Sequence, residues 1–383
     1  GKYKYSESVS SNVVDSSGRE VVVGTPIKDT DMGSMFVWIP RYAYAITSNY
    51  HDGGNGISGT IKIAFLDGTK EYNKGANIDY TYQGNSDKAI LVNKTGEGNW
   101  NEHPAFNFGG TILSGIWVAK YEASHSDAGN ASTLEGSSQT IKIQPNVTSW
   151  RNAKIGDMFT YCQNMNSSEE ASNYGISTNK NEIDPHMMKN SEWGVVTYLA
   201  QSSYGRNGNE ISINNSNGFI TGNSGGSADA SFIGTKYAYD SQSGQKASTT
   251  GNISGIYDMS GGAYEYVASY MNNNSYVENY ASSILYSNER YKDVYDKSAS
   301  DTSNNNYDIN NYFYGDALYE TSNSATGNQS WFNDYSAFLY SNYPFFYRGG
   351  SYSNSSFAGI FSFDCIHGDI SMSISFRPVL AIM

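Results

Sequence analysis

The chain has 383 residues, of which 38% are hydrophobic and 16% are charged, and its formal net charge is −13. A chain this acidic repels phosphate backbones and anionic lipid headgroups, which argues against nucleic-acid binding and against direct membrane binding. Its 33 tyrosines and 39 glycines favour short strands, turns and irregular loops over long helices. Many of its polar residues are uncharged, and this favours an extracellular protein.

The first predicted elements are strands. Residues 1–33 form a polar lead-in with one short apolar strand at 21–23. In MFVWIPRYAYAI, residues 35–46, apolar and aromatic residues alternate on both sides of Pro40, which predicts two consecutive strands. Further strands are predicted at residues 61–65 and 115–124.

Two helices are predicted in the middle of the chain. The first follows residues 148–149, a Thr-Ser pair of the kind that caps helix N-termini. The second is predicted to open at Asp184 with Pro185 in its first turn and to end near residues 204–205. His186 is expected to cap or pack in that first turn. The apolar stripes that predict core contacts are Ile155, Met158, Phe159, Cys162 and Met165 in the first helix and Trp193, Val196, Leu199 and Ala200 in the second.

The second half of the chain is harder to assign. Turn glycines in residues 251–263 precede Tyr264 and Tyr266, whose alternation predicts a strand. Residues 271–330 are rich in Asn, Ser and Tyr but poor in aliphatic residues, and we expect a long surface excursion with little core of its own. The two cysteines, Cys162 and Cys365, are far apart, which favours two free thiols over one disulfide.

Sequence motifs for common enzyme chemistry do not occur in the chain. There is no G-x-S-x-G, no phosphate-binding G-x-x-x-x-G-K-[ST] and no G-x-G-x-x-G after a strand. No acidic loop has the ligand alternation of a known calcium motif. The five histidines are scattered, and none pairs with another ligand at metal-binding spacing; they are His51, His103, His125, His186 and His367.

Three motifs occur in a fixed order: GIYDMSGGAYEYV at residues 255–267, YRGGSY at 347–352 and SFRPVL at 375–380. They resemble the G-L-x-D-M-x-G-N-V-x-E-W, R-G-G-S-W and G-F-R-P/V motifs of the formylglycine-generating-enzyme-like family, a variant of the C-type lectin fold. The resemblance implies one α+β domain over residues 34–383, with two helices, short twisted sheets, much irregular structure and insertions at about 48–110 and 271–340. The scaffold residues that it implies are Asp258, Met259, Gly261, Glu265, Arg348, Gly349, Gly350, Phe376, Arg377 and Pro378.

The chain departs from the catalytic members of that family. Gly262 replaces the motif asparagine, and Tyr264 and Tyr266 replace tryptophans. Catalytic members carry two cysteines after R-G-G-S-W that bind copper and oxidise a substrate cysteine, whereas here Cys365 is the only nearby thiol. A copper site of that kind needs two soft thiolates, and the three-histidine iron set of the sulfoxide-synthase relatives is also missing. A copper-dependent oxidase is therefore the least favoured hypothesis, and no enzyme activity, cofactor or metal is expected.

The non-enzymatic branch that the chain resembles contains the variable proteins of diversity-generating retroelements, including phage tropism determinants. These proteins keep the R-G-G and F-R-P-V motifs and randomise residues between them by mutating adenines, often in AAY codons. Over residues 338–376 only Met372 lies outside the amino acids that such codons can reach. The resemblance predicts a variable binding segment at 345–380, whose ligand-binding residues are Tyr347, Ser351, Ser353, Phe357, Ser362, Asp364, Cys365, Ile366, His367, Asp369, Ile370, Ser371, Ser373 and Ile374.

Strand alternation in this segment predicts a buried and an exposed side. Phe361 and Phe363 would face the core, while Ser362 and Asp364 would face solvent. Likewise, Tyr352 would lie opposite its two serine neighbours, Ser351 and Ser353. One side of the segment is thus expected to hold the fold together and the other to contact a ligand.

The functional expectation is a receptor-binding or adhesin-like protein on a bacterial surface or phage virion. Its ligand would be a protein or a glycan on a cell or phage surface. An alternative is a structural surface or virion component, pilin-like or decorating, whose lectin-like module is fixed and self-associates. Homo-oligomers are compatible with both hypotheses.

Overall fold

The computed structural model describes residues 4–5, 13–14, 33–79, 88–125, 140–228, 236–272 and 274–383. These residues form a mixed α+β structure of short helices and several small sheets, in agreement with the predicted class. The strand predicted at residues 21–23 lies outside the described residues. The helices are α1 Ile155–Gln163, α2 Ala171–Tyr174, α3 Asn190–Gln201, α4 Asn274–Leu285 and α5 Ser303–Ile309.

The strands are short and spread along the described residues. In chain order they are β1 Lys4–Tyr5, β2 Val13–Val14, β3 Phe36–Pro40, β4 Tyr42–Ser48, β5 Thr60–Phe65, β6 Asn77–Asp79, β7 Lys88–Ile90, β8 Asn101–Glu102, β9 Asn107–Phe108, β10 Thr111–Ile112, β11 Gly115–Ala119, β12 Ser124–His125, β13 Ile141–Lys142, β14 Ile183–Met187, β15 Tyr264–Met271, β16 Asp293–Tyr295, β17 Thr326–Gly327, β18 Ser336–Ala337, β19 Phe345–Arg348, β20 Phe363–Ile366, β21 Ile374–Phe376 and β22 Pro378–Ile382. The strands predicted on both sides of Pro40 and at residues 61–65 are confirmed as β3, β4 and β5.

One four-stranded antiparallel sheet joins distant parts of the chain in the order β14-β22-β11-β3. Trp117 of β11 lies opposite Trp38 on one side and Leu380 on the other. The strand predicted at 115–124 therefore exists, but it ends at Ala119, and the buried Tyr121 lies beyond the sheet. One of the two inner strands of this sheet, β22, comes from the F-R-P motif region.

The predicted start of the second helix at Asp184 and Pro185 is wrong. Both residues lie in β14, which pairs antiparallel with β22. Proline is tolerated there because β14 is an edge strand, and the missing N–H is not needed on the free side. His186 is therefore a strand residue, and its Nε2 lies 2.8 Å from Glu192 Oε1 in the core.

The second helix starts six residues later than predicted, as α3 at Asn190. Its first turn is capped by Glu192, whose carboxylate accepts a hydrogen bond from the Lys189 backbone N–H. Trp193 and Val196 are buried, as the stripe predicted. The helix ends at Gln201, a few residues before the predicted position.

The first helix is likewise displaced. Thr148 and Ser149 do not cap it: Thr148 bridges to Ile220 in extended backbone, and α1 begins only at Ile155. The predicted stripe is buried all the same, including Met158 and Cys162. Apolar periodicity located the buried face correctly, while the residue type favoured at helix caps did not locate the helix start.

Residues 271–330 contradict the prediction of a surface excursion with little core. They contribute α4, β16 and α5, and tyrosines take the place of the scarce aliphatic residues. Tyr295 is buried and donates to Asp316 Oδ2 at 2.9 Å, and Tyr307 is buried with its hydroxyl 2.7 Å from Ser322 Oγ. A tyrosine can fill a core once its hydroxyl has a partner, so this segment belongs to the main hydrophobic core.

Glu320 connects residues 271–330 to other parts of the core through hydrogen bonds. Its buried Oε2 accepts hydrogen bonds from Tyr44 of β4 at 2.8 Å, from Tyr198 of α3 at 2.9 Å and from the Gly315 backbone at 2.6 Å. Burial raises the pKa of this carboxyl to about 7, since removal from water disfavours the charged form. One side chain thus fastens the segment to an early strand and to the long central helix.

The mixed sheet that carries the end of the chain has the order β16-β15-β19-β20-β18-β17, and β21 also pairs with β15. The scaffold residues implied by the three motifs are all buried here or beside it. Arg377 donates to both oxygens of Glu265, to the Ala119 carbonyl at 2.8 Å and to the Tyr257 carbonyl at 3.0 Å. Its guanidinium therefore connects three chain segments.

Arg348 has the same role in the neighbouring strand β19. Its Nε donates to the Ser362 carbonyl at 2.9 Å, and its two Nη atoms donate to Asn190 Oδ1 and to the carbonyls of Asp316 and Ala317 at 2.9–3.1 Å. Its side chain is fully buried and stacks 5.4 Å from the Trp193 ring. Arg348 thereby ties β19 to the turn before β20, to α3 and to the residue 316–317 turn.

Gly262, where the motif has asparagine, is required by its surroundings. Its φ is +75°, and a Cβ at this position would lie 2.5 Å from Glu122 Oε1. That carboxylate accepts the Ala263 backbone N–H at 2.8 Å. The departure from the motif therefore accompanies a buried carboxylate that occupies the space of a side chain.

We predict that Arg348→Met lowers the free energy of unfolding by about 3 kcal/mol or more, because it leaves several buried carbonyls without donors. Urea denaturation at neutral pH measures this loss. Lys74→Met, which removes an exposed cation, serves as the control and should change the stability little. Equal stabilities of the two variants would contradict the structural role of Arg348.

We predict that Glu320→Gln removes a fall in stability between pH 4.5 and 7. In that interval the unfolded chain releases the Glu320 proton while the folded chain, with its pKa near 7, retains it, so wild-type stability decreases as pH rises. Relative to wild type, the variant should gain on the order of 3 kcal/mol across the interval. Urea denaturation at several pH values checks this, and a constant difference would contradict it.

Candidate binding face

The site is built on the antiparallel pair β19 and β20. Tyr347 lies directly opposite Asp364, and its hydroxyl donates to Asp364 Oδ2 at 2.5 Å. Burial raises the pKa of both groups, and their proximity raises that of the tyrosine further. On the opposite side of this pair Arg348 and Phe363 are buried, so Phe363 faces the core and Asp364 faces outward, as strand alternation predicted.

Tyrosines from several elements surround this pair. The ring of Tyr264 in β15 lies 4.6 Å from that of Tyr347, and Tyr335 is 38% exposed beside them. At the other end of β20, Tyr343 packs against His367 with ring centroids 4.3 Å apart. We call this surface the binding face; its members are Tyr264, Tyr335, Tyr343, Tyr347, Ser353, Phe357, Asp364, Cys365, Ile366, His367, Asp369, Ile370, Ser371, Met372 and Ser373, all half-buried or exposed.

Large apolar side chains on the binding face remain in solvent. Phe357 is 43% exposed, Ile370 55% and Met372 68%, although the chain has a large interior available. Single exposed apolar residues are ordinary, but several on one surface together with tyrosines make that surface a candidate interaction site. Met372 and Ile370 are among the most exposed large apolar residues that the structure describes.

The loop that carries these residues has a fixed backbone. The Gly368 carbonyl accepts from Ile155 N at 3.2 Å, and the Ser371 carbonyl accepts from Asn152 N at 2.8 Å. The loop is therefore docked on the start of α1 through main-chain atoms. Its side chains can change without changing these hydrogen bonds, because backbone atoms make them whatever the residue type.

Three predicted ligand-binding residues are buried, so their assignment to the exposed side is wrong. Ser351 and Ser362 are 2% and 3% exposed, and Ile374 is 1% exposed. Strand alternation failed because Ser351 lies in a turn, where its hydroxyl bonds to Asn354, and because β20 starts only after Ser362. Ile374 lies in β21, paired with Tyr264 of β15.

The sequence prediction missed several members of the face. Met372 is not among the predicted residues, yet it is the most exposed of the members that were missed. Tyr264, Tyr335 and Tyr343 lie outside the predicted set because they come from other elements. The signal for them was the abundance of tyrosine, but that abundance extends along the whole chain.

Tyr352 is half-buried against Phe219, with ring centroids 4.8 Å apart.

Both cysteines are free thiols, as predicted, with Cys162 buried and Cys365 half-buried. Burial, together with the nearby Asp364, raises the pKa of the Cys365 thiol, so it is uncharged at neutral pH. Among the described residues, no three His, Cys, Asp or Glu side chains are placed to share a metal ion. None of the helices in the described ranges is long and apolar enough to cross a membrane.

We predict that the same substitution, serine to tyrosine, destabilises the chain at one serine of the segment but not at another. Ser362→Tyr should lower the free energy of unfolding by about 2 kcal/mol or more, because it forces a ring into a packed position. Ser353→Tyr, at an exposed position, should change it by less than about 0.5 kcal/mol. Thermal or urea denaturation of both variants tests the boundary of the face, and similar losses would contradict it.

In comparisons with known proteins, no family model matches the chain and no curated protein is significantly similar to it. The candidate site therefore depends on the burial, hydrogen bonds and ring contacts of the chain's own residues.

Proposed function

We propose that the chain is a non-enzymatic ligand-binding protein that presents the binding face on a C-type-lectin-like scaffold. Two kinds of support are available for this fold. The three motifs that resemble the family occur in the family's order, and their polar residues are buried and mutually bonded, as with Arg377 and Glu265. Buried charged residues with satisfied donors are expected of a scaffold and not of a variable surface.

The observation that carries the proposed function is a contrast on the face: its backbone is fixed by hydrogen bonds, whereas large apolar side chains are exposed to solvent. Residues 367–373 are held by main-chain hydrogen bonds, while Ile370 and Met372 point their apolar atoms to solvent. Selection for folding alone would favour polar side chains at such positions. Selection for contact with another molecule accounts for them.

The chemistry of the face favours a protein ligand. Tyrosine provides a large contact area at low entropic cost, serine adapts its hydrogen bonds, and isolated apolar side chains serve as anchors. Apart from Asp364 and Asp369 the face has no carboxylates, and it has no Lys or Arg. A glycan ligand would fit the tyrosines but would leave Ile370 and Met372 without a purpose.

By its resemblance to the variable proteins of diversity-generating retroelements, the chain would act outside the cell, on a bacterial surface or phage virion. In such a protein the varied positions must be accessible. The accessible members of the predicted segment are therefore the expected variable positions; they are Tyr347, Ser353, Phe357, Asp364, Cys365, Ile366, His367, Asp369, Ile370, Ser371 and Ser373.

We predict that sequencing of codons 340 to 383 across the source population finds amino-acid changes at these positions. Ser351, Ser362 and Ile374 should remain constant, because each is buried. A second copy of the segment, with adenines at the variable codons, should lie near the gene. A library displaying the same varied codons should also yield binders to a chosen protein such as lysozyme.

A population with no amino-acid changes in this segment, or with changes spread evenly over the gene, would contradict diversification. A library that varies exposed residues elsewhere, such as Glu278 on α4 and Tyr286 directly after it, is the control for the selection. If both libraries give binders at the same frequency, the face has no special role.

A further inference from the structure

The loop that follows β20 turns its carbonyl groups toward the scaffold. We call residues 368–373 the face loop. Five of its six carbonyls accept a hydrogen bond from outside the loop: Gly368 from Ile155 N, Asp369 from the Tyr266 hydroxyl, Ser371 from Asn152 N, Met372 from Arg151 Nη1 and Ser373 from Tyr264 N. The four bonds besides that of Arg151 are 2.8–3.2 Å long. The exposed side chains of Ile370 and Met372 therefore extend from a backbone that the scaffold holds.

Side chains supply only two of these five donors. The other three are backbone N–H groups, which every residue type except proline can supply. At Tyr266 and Arg151 the residue type itself decides whether the loop has a donor. Tyr266 is fully buried and also fills the core, so its loss would disturb packing as well as the loop. Arg151, which is 6% exposed, is the one donor of the five that carries a charge.

Arg151 makes a second contact, with an aromatic ring. Its guanidinium carbon lies 3.7 Å from the centroid of the Phe219 ring, where the face of the ring attracts a cation. Phe219 has a φ of +51°, a left-handed conformation that is unfavourable for a bulky residue. Its N–H donates to the Ser216 carbonyl and its carbonyl accepts from Ser149 N, both at 2.9 Å. Such a conformation persists only where the surroundings fix it, so the fold specifies the position of this ring over Arg151.

Phe219 also contacts a second part of the binding face. Its ring packs edge-on against Tyr352, with ring centroids 4.8 Å apart. Tyr352 lies in the turn that carries the exposed Ser353 and leads to the exposed Phe357. Arg151 therefore contacts the face loop directly and the Tyr352 turn through a single ring.

We propose that Arg151 is a positioning residue for the binding face. Its guanidinium holds the face loop at the Met372 carbonyl, and its contact with Phe219 sets that loop beside the Tyr352 turn. Arg151 is buried and lies outside the variable segment predicted at 345–380, so it holds the loop whichever side chains the loop carries. This inference rests on the proposed function, because only a protein that binds through this face needs the side chains of the loop at fixed positions.

The first test is hydrogen exchange on the full chain at neutral pH, comparing the wild type with Arg151→Met. The reporters are the backbone amides of Asn152, Ile155 and Tyr264, which donate to the face loop. We expect them to exchange about tenfold faster or more in the variant, because the loop opens locally more often, while the amides of β4 and β5 keep their rates. Unchanged reporter rates would overturn the proposal. Equal acceleration in β4 and β5 would overturn it as well, since that outcome reports a general loss of stability.

Two further variants control this measurement. Arg206→Met is the matched control, because Arg206 lies outside the binding face and its guanidinium also donates to a backbone carbonyl, that of Glu210 at 3.1 Å. It should leave the reporter amides unchanged, and equal acceleration in this variant would contradict the role of Arg151. Arg151→Lys keeps a donor but loses the planar contact with Phe219, so its reporter rates should lie between those of the wild type and Arg151→Met. If Arg151→Met does not fold, Arg151→Lys carries the test alone.

The second test measures binding, using a lysozyme binder isolated from the library that varies the exposed positions of the face. Arg151→Met in that binder should weaken its affinity for lysozyme about tenfold, because a smaller fraction of the molecules holds the loop in the binding conformation. Equal affinity with and without the substitution would reject the positioning role and leave the proposed function in place. If the library gives no binders, the proposed function fails, and the exchange rates alone decide whether Arg151 fixes the loop.

Discussion

Arg348 carries a positive charge in a fully buried position, and the arrangement of the binding face depends on where its guanidinium donates. Burial lowers its pKa to about 10, which still leaves the group protonated at neutral pH. The planar fork satisfies carbonyls before β20 and in the residue 316–317 turn, together with the first residue of α3. A lysine could not reach these acceptors at once, because it lacks the fork geometry.

This anchor explains how a surface can be permissive while the fold beneath it is rigid. On β20 the inward Phe363 is fully buried, whereas the outward Asp364 carboxylate accepts hydrogen bonds from the Tyr347 hydroxyl and from the backbone of its own neighbour Cys365. The loop after β20 is docked by main-chain atoms. The backbone and the inward side chains thus supply most of the free energy of folding, and the outward side chains contribute little to it. Such a division is what a binding surface with changeable specificity requires.

Much of the scaffold could be predicted from the sequence, because periodicity and motif order report burial directly. The strands on both sides of Pro40, the buried stripes of the first and third helices and the burial of Arg377 follow from these signals. Helix starts could not be predicted by cap residues alone. Asp184 and Pro185 are residue types favoured at a helix start, but they lie in an edge strand whose partner is almost 200 residues away. Long-range pairing of this kind leaves no local signal.

The candidate site was predicted in outline but not at its borders, for a related reason. Alternation holds only within a strand, and Ser351 and Ser362 lie just outside one. The tyrosine members from β15 and from residues 335–343 join the face through tertiary packing. The core role of residues 271–330 was hidden because tyrosine, usually a surface or boundary residue, acts there as a core residue with a bonded hydroxyl.

The position of β22 inside the four-stranded sheet has a consequence for biosynthesis. During translation β3, β11 and β14 leave the ribosome first, but β22 is the strand that joins β11 to β14, and its codons follow those of the proposed variable positions, which end at Ser373. A message with a stop codon or frameshift within the segment therefore yields a chain whose central sheet cannot close. If the binding face is varied as proposed, only chains with an intact reading frame through every varied codon would complete this sheet.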